Sequence, residues 1–181
     1  MKLKEKLGDQ IGRGNSIGFQ GSIYLLTGKY TEALNSFEES LQVFEELNNV
    51  SSKAETLTDI GITYLYLNKI KEAESKLQDG IKLWESVRGN LGNQDDFKVS
   101  IFEQQVRTYK LLLAVLIVQQ KPLQALEIAE RSRARALVDL LSSKLNGQTT
   151  MPSPTIKEIR QIAQQRNATF VEYLVDSSEL Y

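Results

Sequence analysis

Gly21-Ser22-Ile23-Tyr24-Leu25-Leu26-Thr27-Gly28-Lys29-Tyr30-Thr31-Glu32-Ala33-Leu34-Asn35-Ser36-Phe37 decides the fold, because it recurs. Forty residues on, the chain reads Gly61-Ile62-Thr63-Tyr64-Leu65-Tyr66-Leu67-Asn68-Lys69-Ile70-Lys71-Glu72-Ala73-Glu74-Ser75-Lys76-Leu77. Gly21 falls on Gly61, Tyr24 on Tyr64, Tyr30 on Ile70, Ala33 on Ala73 and Phe37 on Leu77. The match extends outward through Leu7 and Leu47, Ile17 and Leu57, Leu41 and Ile81, and Phe44 and Trp84. Agreement residue by residue at one fixed shift separates a true repeat from two unrelated helical hairpins.

Each copy reads as two amphipathic helices around a short polar turn. The first helix is expected over 15–27, with a turn at Gly28-Lys29 and a second helix over 30–47. The next copy runs over 52–67, turns at Asn68-Lys69 and continues over 70–87. Ala33, Phe37, Leu41 and Phe44 form one apolar stripe at helical spacing, and Ala73, Leu77, Ile81 and Trp84 form its counterpart. Glycine inside a helix costs about 1 kcal/mol relative to alanine. Gly21 and Gly61 at the same register therefore predict a close helix approach, with Ala33 and Ala73 as the matching small residues and Tyr24 and Tyr64 filling the gap one turn on.

The pattern Gly-x-x-Tyr-x-x-x-Gly-x-Tyr-x-x-Ala-x-x-x-Phe over Gly21–Phe37 resembles the tetratricopeptide repeat (TPR), in its longer forty-residue variant. The resemblance implies an all-α fold, a TPR-type α-solenoid of antiparallel helix pairs forming a superhelix. A third, modified copy places Ala125 in the part of Ala73, twelve residues late. The extra length coincides with the Gly- and Asn-rich stretch 87–98, read as a loop with lengthened helix ends on either side. Helices are expected over 99–119 and 123–145, with Pro122 opening the second. Leu7-Gly8-Asp9 matches Leu47-Asn48-Asn49, so residues before 15 read as the end of one further repeat. The solenoid is thus expected over 1–146.

Ala125-Leu126-Glu127-Ile128-Ala129-Glu130-Arg131-Ser132-Arg133-Ala134-Arg135 resembles the last repeat helix of proteins in which TPRs precede a caspase-like CHAT domain. In the residues themselves, Arg131, Arg133 and Arg135 alternate and so point to different sides of a helix. With Glu130 and Asp139 they read as an ion-pair face rather than an anion site. Residues 147–154 read as a linker. A short helix over 155–165 and a β-type run over 169–175 then resemble the start of a CHAT domain at 155–181. The resemblance implies a chain truncated at both ends, with the protease's His and Cys beyond it.

Composition bounds the chemistry. The 181 residues contain no His and no Cys, and 22 basic against 23 acidic side chains give a net charge of −1. No His-dependent triad, thiolate nucleophile or thiolate-ligated metal can be built from these residues alone. A near-neutral chain lacks the basic surface that phosphate recognition needs. The adjacent pairs Glu38-Glu39 and Asp95-Asp96 point apart on a helix and read as solvent-exposed, and Gly12-Arg13-Gly14 lacks the strand a phosphate loop requires. The expectation is a cytoplasmic interaction scaffold without catalysis, metal or cofactor, binding neither nucleic acid nor membrane. The alternative is the regulatory part of a CHAT-family cysteine protease.

A TPR array binds peptides on the concave face lined by its first helices. The resemblance assigns to that groove Asn15, Ser22, Leu25 and Leu26, then Glu55, Ile62, Leu65 and Tyr66, then Arg107, Lys110 and Ala114. Phe19, Ser22, Asp59 and Ile62 stand where a carboxylate clamp would need basic and amide side chains, so no such clamp is expected. Candidate partners are a protein or peptide, the chain's own downstream CHAT domain, or a second copy joined through the tail strand or the solenoid ends.

Overall fold

The structure, a computed structural model, describes residues 2–89, 95–144, 156–165, 175–176 and 179–180, with side chains described chiefly over 9–87 and 104–133. The chain divides into two compact units, Met1–Val118 and Gln119–Tyr181.

The first unit holds α1 (Lys2–Leu26), α2 (Tyr30–Glu46), α3 (Val50–Tyr66), α4 (Ile70–Gly89) and α5 (Asp95–Val118). Each helix packs on the next in sequence, while α1 touches α3 and α3 touches α5. That is the connectivity of a helix-hairpin solenoid, with the first helix of every pair on one side.

The turns explain why the hairpins close so tightly. Gly28 (φ 76°), Asn48 (φ 51°) and Asn68 (φ 56°) each take the left-handed conformation. In the first turn the Lys29 N–H bonds the Tyr24 carbonyl at 2.9 Å and the Gly28 N–H bonds Leu25. Asn49 to Phe44 and Lys69 to Tyr64 repeat this at 3.0 and 2.8 Å. All three are Schellman closures, which satisfy carbonyls that a helix end leaves open. The Lys29 ammonium lies 5.9 Å from the centre of the Tyr24 ring, and Lys69 lies 5.8 Å from that of Tyr64, so the same pair of residues closes the turn twice. Asn49 also caps α3, its side-chain oxygen accepting from the Ser52 N–H at 3.2 Å.

The core follows the apolar stripes. Ala33, Phe37 and Ile60 are buried together, with Tyr24, Leu25, Leu34, Leu41 and Tyr64 packed around them. Ala73, Leu77, Ile81 and Trp84 are buried in α4, as are Tyr109, Leu112, Leu113 and Leu116 in α5.

Several boundaries depart from expectation. Residues 2–26 form one helix, so Gly8-Asp9 does not repeat the turn at Asn48-Asn49. The turn at 47–49 is closed by Asn48 in the left-handed conformation and by the Asn49 N–H bonding the Phe44 carbonyl, whereas α1 runs unbroken through Gly8 and Asp9. Within 87–98, Val87–Gly89 belong to α4 and Asp95–Lys98 to α5, which leaves 90–94 outside the described residues.

The second unit holds α6 (Pro122–Lys144), α7 (Ile156–Gln165) and a two-residue ladder of β1 (Val175–Asp176) with β2 (Glu179–Leu180). Gln120 is left-handed (φ 56°) and the Ala125 N–H bonds Lys121, as Ala33 bonds Lys29 and Ala73 bonds Lys69. The third copy therefore opens in register with the first two. The strand expected over 169–175 falls, for 169–174, outside the described residues, and a two-residue ladder does not establish it.

Candidate functional site

The two hairpins place their first helices side by side, and the site lies between them. Asn15, Phe19 and Ser22 come from α1 at i, i+4 and i+7. Ser52, Glu55 and Asp59 come from α3 at i, i+3 and i+7. Together they line a groove of about 220 Å³ whose floor is Phe37, Ser40 and Phe44 of α2. Glu55 stands forty residues after Asn15 and Asp59 forty after Phe19, so one wall is neutral and the other acidic.

A row of small residues lets α1 come this close to α2. A Cβ on Gly14 would sit 2.8 Å from the Phe44 ring, one on Gly18 would sit 3.2 Å from the Ser40 hydroxyl, and one on Gly21 would sit 2.9 Å from the Phe37 ring. The partner of Gly21 is thus the Phe37 ring rather than Ala33. Likewise a Cβ on Gly61 would meet Leu77 at 2.8 Å, with the Ala73 carbonyl at 3.6 Å. Gly14 and Gly18 were not anticipated as packing residues, although Gly14, Gly18 and Gly21 stand at i, i+4 and i+7. Ser40 donates to the Gly14 carbonyl at 2.9 Å, fastening the seam.

Asp59 is the polar centre of the groove. Its carboxylate lies 3.5 Å from the Arg107 guanidinium of α5 and is 23% exposed. Burial pushes its pKa up from 3.8 to about 6; Arg107 opposes the shift and Glu55 adds to it. On the residue just before Asp59 in α3, Thr58 donates to the Ala54 carbonyl at 3.0 Å and meets the Thr108 hydroxyl of α5 at 3.0 Å, both hydroxyls being buried. Thr108 donates in turn to the Gln104 carbonyl at 2.9 Å. Among the described residues, α3 and α5 are therefore tied by one ion pair and one hydroxyl pair.

The expected groove residues divide. Asn15, Ser22 and Glu55 meet in the groove. Leu25 does not belong to it, because it packs on the core. Leu26 is 86% exposed and Tyr66 60% exposed, and neither lines the groove. The Tyr66 ring stacks on Tyr30 of α2 at 5.1 Å and 14°, which commits it to the α2–α3 joint. Ile62 and Leu65 are half-buried outside the groove; Arg107 reaches it only through Asp59; Lys110 and Ala114 lie exposed along α5. Phe19, 69% exposed, and Asp59 are lining residues that were assigned only as obstacles to a clamp.

At the junction, Arg133 bonds Glu130 at 2.8 Å on α6, and Ala125 is buried. The side chains of Arg135 and Asp139 lie outside the described residues, and Arg131 is half-buried. No helix of the described residues is long and apolar enough to cross a membrane.

Antiparallel helix pairs closed by the same turn, stacked so that their first helices form a common wall, define a helix-hairpin repeat protein. The comparisons with known proteins bear on these two hairpins: residues 15–86 match the family model described as tetratricopeptide repeat. Among curated proteins it is similar to tetratricopeptide repeat protein 28 of Mus musculus, 30% identical over 125 residues that make up 67% of this chain. The protein of the same name from Homo sapiens matches with the same identity and coverage. The chain spans 5% of the length of each of these relatives.

Proposed function

We propose that the groove between α1 and α3 is a docking surface for a protein or peptide, and that the chain serves as an interaction scaffold without catalysis of its own. The observation that carries this reading is the convergence of Asn15, Phe19 and Ser22 with Glu55 and Asp59 around one open cavity, with Phe19 left exposed. An exposed aromatic beside hydrogen-bonding side chains is the usual make-up of an interface anchor. Panning the immobilised chain against a displayed library of random dodecapeptides tests it. Peptides so selected should bind a Ser22→Arg chain much more weakly, with thermal unfolding unchanged. Equal binding by that variant would place the site elsewhere. A peptide ending in Glu-Glu-Val-Asp should not bind at micromolar concentration, because among the described residues no basic side chain lines the groove.

The likeness of 125–141 to the helix that precedes CHAT domains favours a second reading, in which these repeats regulate a cytoplasmic caspase-like protease. A natural reading frame that continues past Tyr181 into His and Cys of a caspase-like domain would support it. A homodimer through the tail or the solenoid ends is a separate proposal, checked by light scattering with and without residues 151–181.

A further inference from the structure

We infer that the groove takes a peptide segment presenting a lysine or arginine side chain, its aliphatic stem along the Phe19 ring and its charged head between the carboxylates of Glu55 and Asp59. This rests on the docking reading above and names the chemistry of the partner.

Three features of the groove point the same way. The charged side chains that line it, Glu55 and Asp59, are both acidic, so an acidic partner is repelled and a purely apolar one covers two carboxylates without compensating them. Asp59 is already short of compensation: Arg107 touches one of its oxygens at 3.5 Å, and burial still holds its pKa near 6. A carboxylate has about four acceptor sites on two oxygens, so a second cation can share it with Arg107. Finally, Phe19 offers an exposed ring face on the opposite wall. Long basic side chains lay their methylenes on apolar surface while keeping the head polar, and an ammonium or guanidinium is attracted to an aromatic face. A lysine or arginine therefore meets both walls at once. The cavity of about 220 Å³ holds several times the volume of one water, about 30 Å³, which suits a side chain rather than a whole helix.

The dodecapeptides selected on the unmodified chain should be enriched in lysine or arginine next to an aliphatic residue. Their affinity, by fluorescence anisotropy of the labelled peptide, should fall about tenfold for Glu55→Gln, equivalent to 1.4 kcal/mol. It should fall similarly when the peptide's basic residue is replaced by norleucine, and stay within twofold for Glu46→Gln, an exposed change on α2 outside the groove. Peptides that bind at the groove but lack a basic residue would overturn this inference and leave the docking reading intact. So would basic peptides indifferent to Glu55→Gln. A library that yields no groove-dependent binder would overturn both.

Discussion

The hairpin α1–α2 and the hairpin α3–α4 solve one packing problem with opposite distributions of atoms. In the first, Gly18 faces Ser40, so the larger residue is on the second helix. In the second, the equivalent positions are Thr58 and Gly80, and the larger residue is on the first helix. Ser40 bonds the carbonyl of Gly14, and Thr58 bonds the carbonyl of Ala54, forty residues later. One hydroxyl thus satisfies one carbonyl in both hairpins, although it arrives from opposite helices. The exchange has a consequence for the solenoid. Carried on α3, the hydroxyl also reaches Thr108 and ties α3 to α5. The lesson is that the repeat conserves a filled volume and a satisfied carbonyl, while leaving open which helix supplies them.

The largest expected effect comes from emptying one hairpin. Phe37→Ala removes a side chain that is 1% exposed and should lower stability by about 3–5 kcal/mol in urea unfolding. Leu77→Ala should cost about 2–5 kcal/mol. A loss below about 1 kcal/mol at Phe37 would mean that the first hairpin does not share the cooperative core of the second. Next, Gly18→Thr should cost about 1–3 kcal/mol by overpacking against Ser40. Adding Ser40→Gly rebuilds the second hairpin's arrangement inside the first, and should restore at least about 1 kcal/mol as a coupling in a double-mutant cycle. Additive losses would break the equivalence of the two seams.

The third test concerns the walls of the groove, where Phe19 in one hairpin corresponds to Asp59 in the other. Because the folded pKa of Asp59 lies near 6, above the ordinary 3.8, the folded state binds its proton more tightly than the unfolded state. Its contribution is fully present below pH 3.8 and is lost as pH rises through about 6. With partial solvent exposure allowed for, this amounts to about 1–2 kcal/mol. Urea midpoints at acid and neutral pH should therefore converge in Asp59→Asn relative to the unmodified chain; an unchanged pH dependence would refute the assignment. The smallest effects lie in the turns. Gly28→Ala should cost about 1–2 kcal/mol at φ 76°, while Gly28→Asn should cost only a few tenths, as Asn68 already holds φ 56°. Calorimetric unfolding resolves the two.

Much of this architecture was legible because a solenoid writes its spatial neighbours at a constant offset in sequence. The shift of forty singles out Gly21, Ala33 and Phe37, and in the structure Ala33 and Phe37 are buried together with the Phe37 ring against Gly21. What it could not supply was angle. Consecutive residues of a helix stand about 100° apart, so Leu25 and Leu26 could not both face the groove, and Leu25 went to the core. Tyr66 was drawn away by Tyr30, a contact between neighbouring hairpins that a pattern within one repeat does not contain. Phe19 and Asp59 share one register, yet one is an exposed ring and the other a desolvated carboxylate. Only the neighbouring helices, with Arg107 on α5, decide that difference.

The joint between Thr58 and Thr108 can be settled by counting hydrogens. Three short contacts run from the Ala54 carbonyl through the two hydroxyls to the Gln104 carbonyl, but two hydroxyls carry only two protons. At any instant one of the three contacts is unmade, and the vacancy can sit at either carbonyl or between the oxygens. Each carbonyl already accepts from its own helix, so no buried donor is ever left without an acceptor. A valine in place of either threonine would remove one proton and one oxygen together, and the surviving hydroxyl would keep its own carbonyl. This hydroxyl link between α3 and α5 is therefore one that the solenoid can lose without an orphaned group.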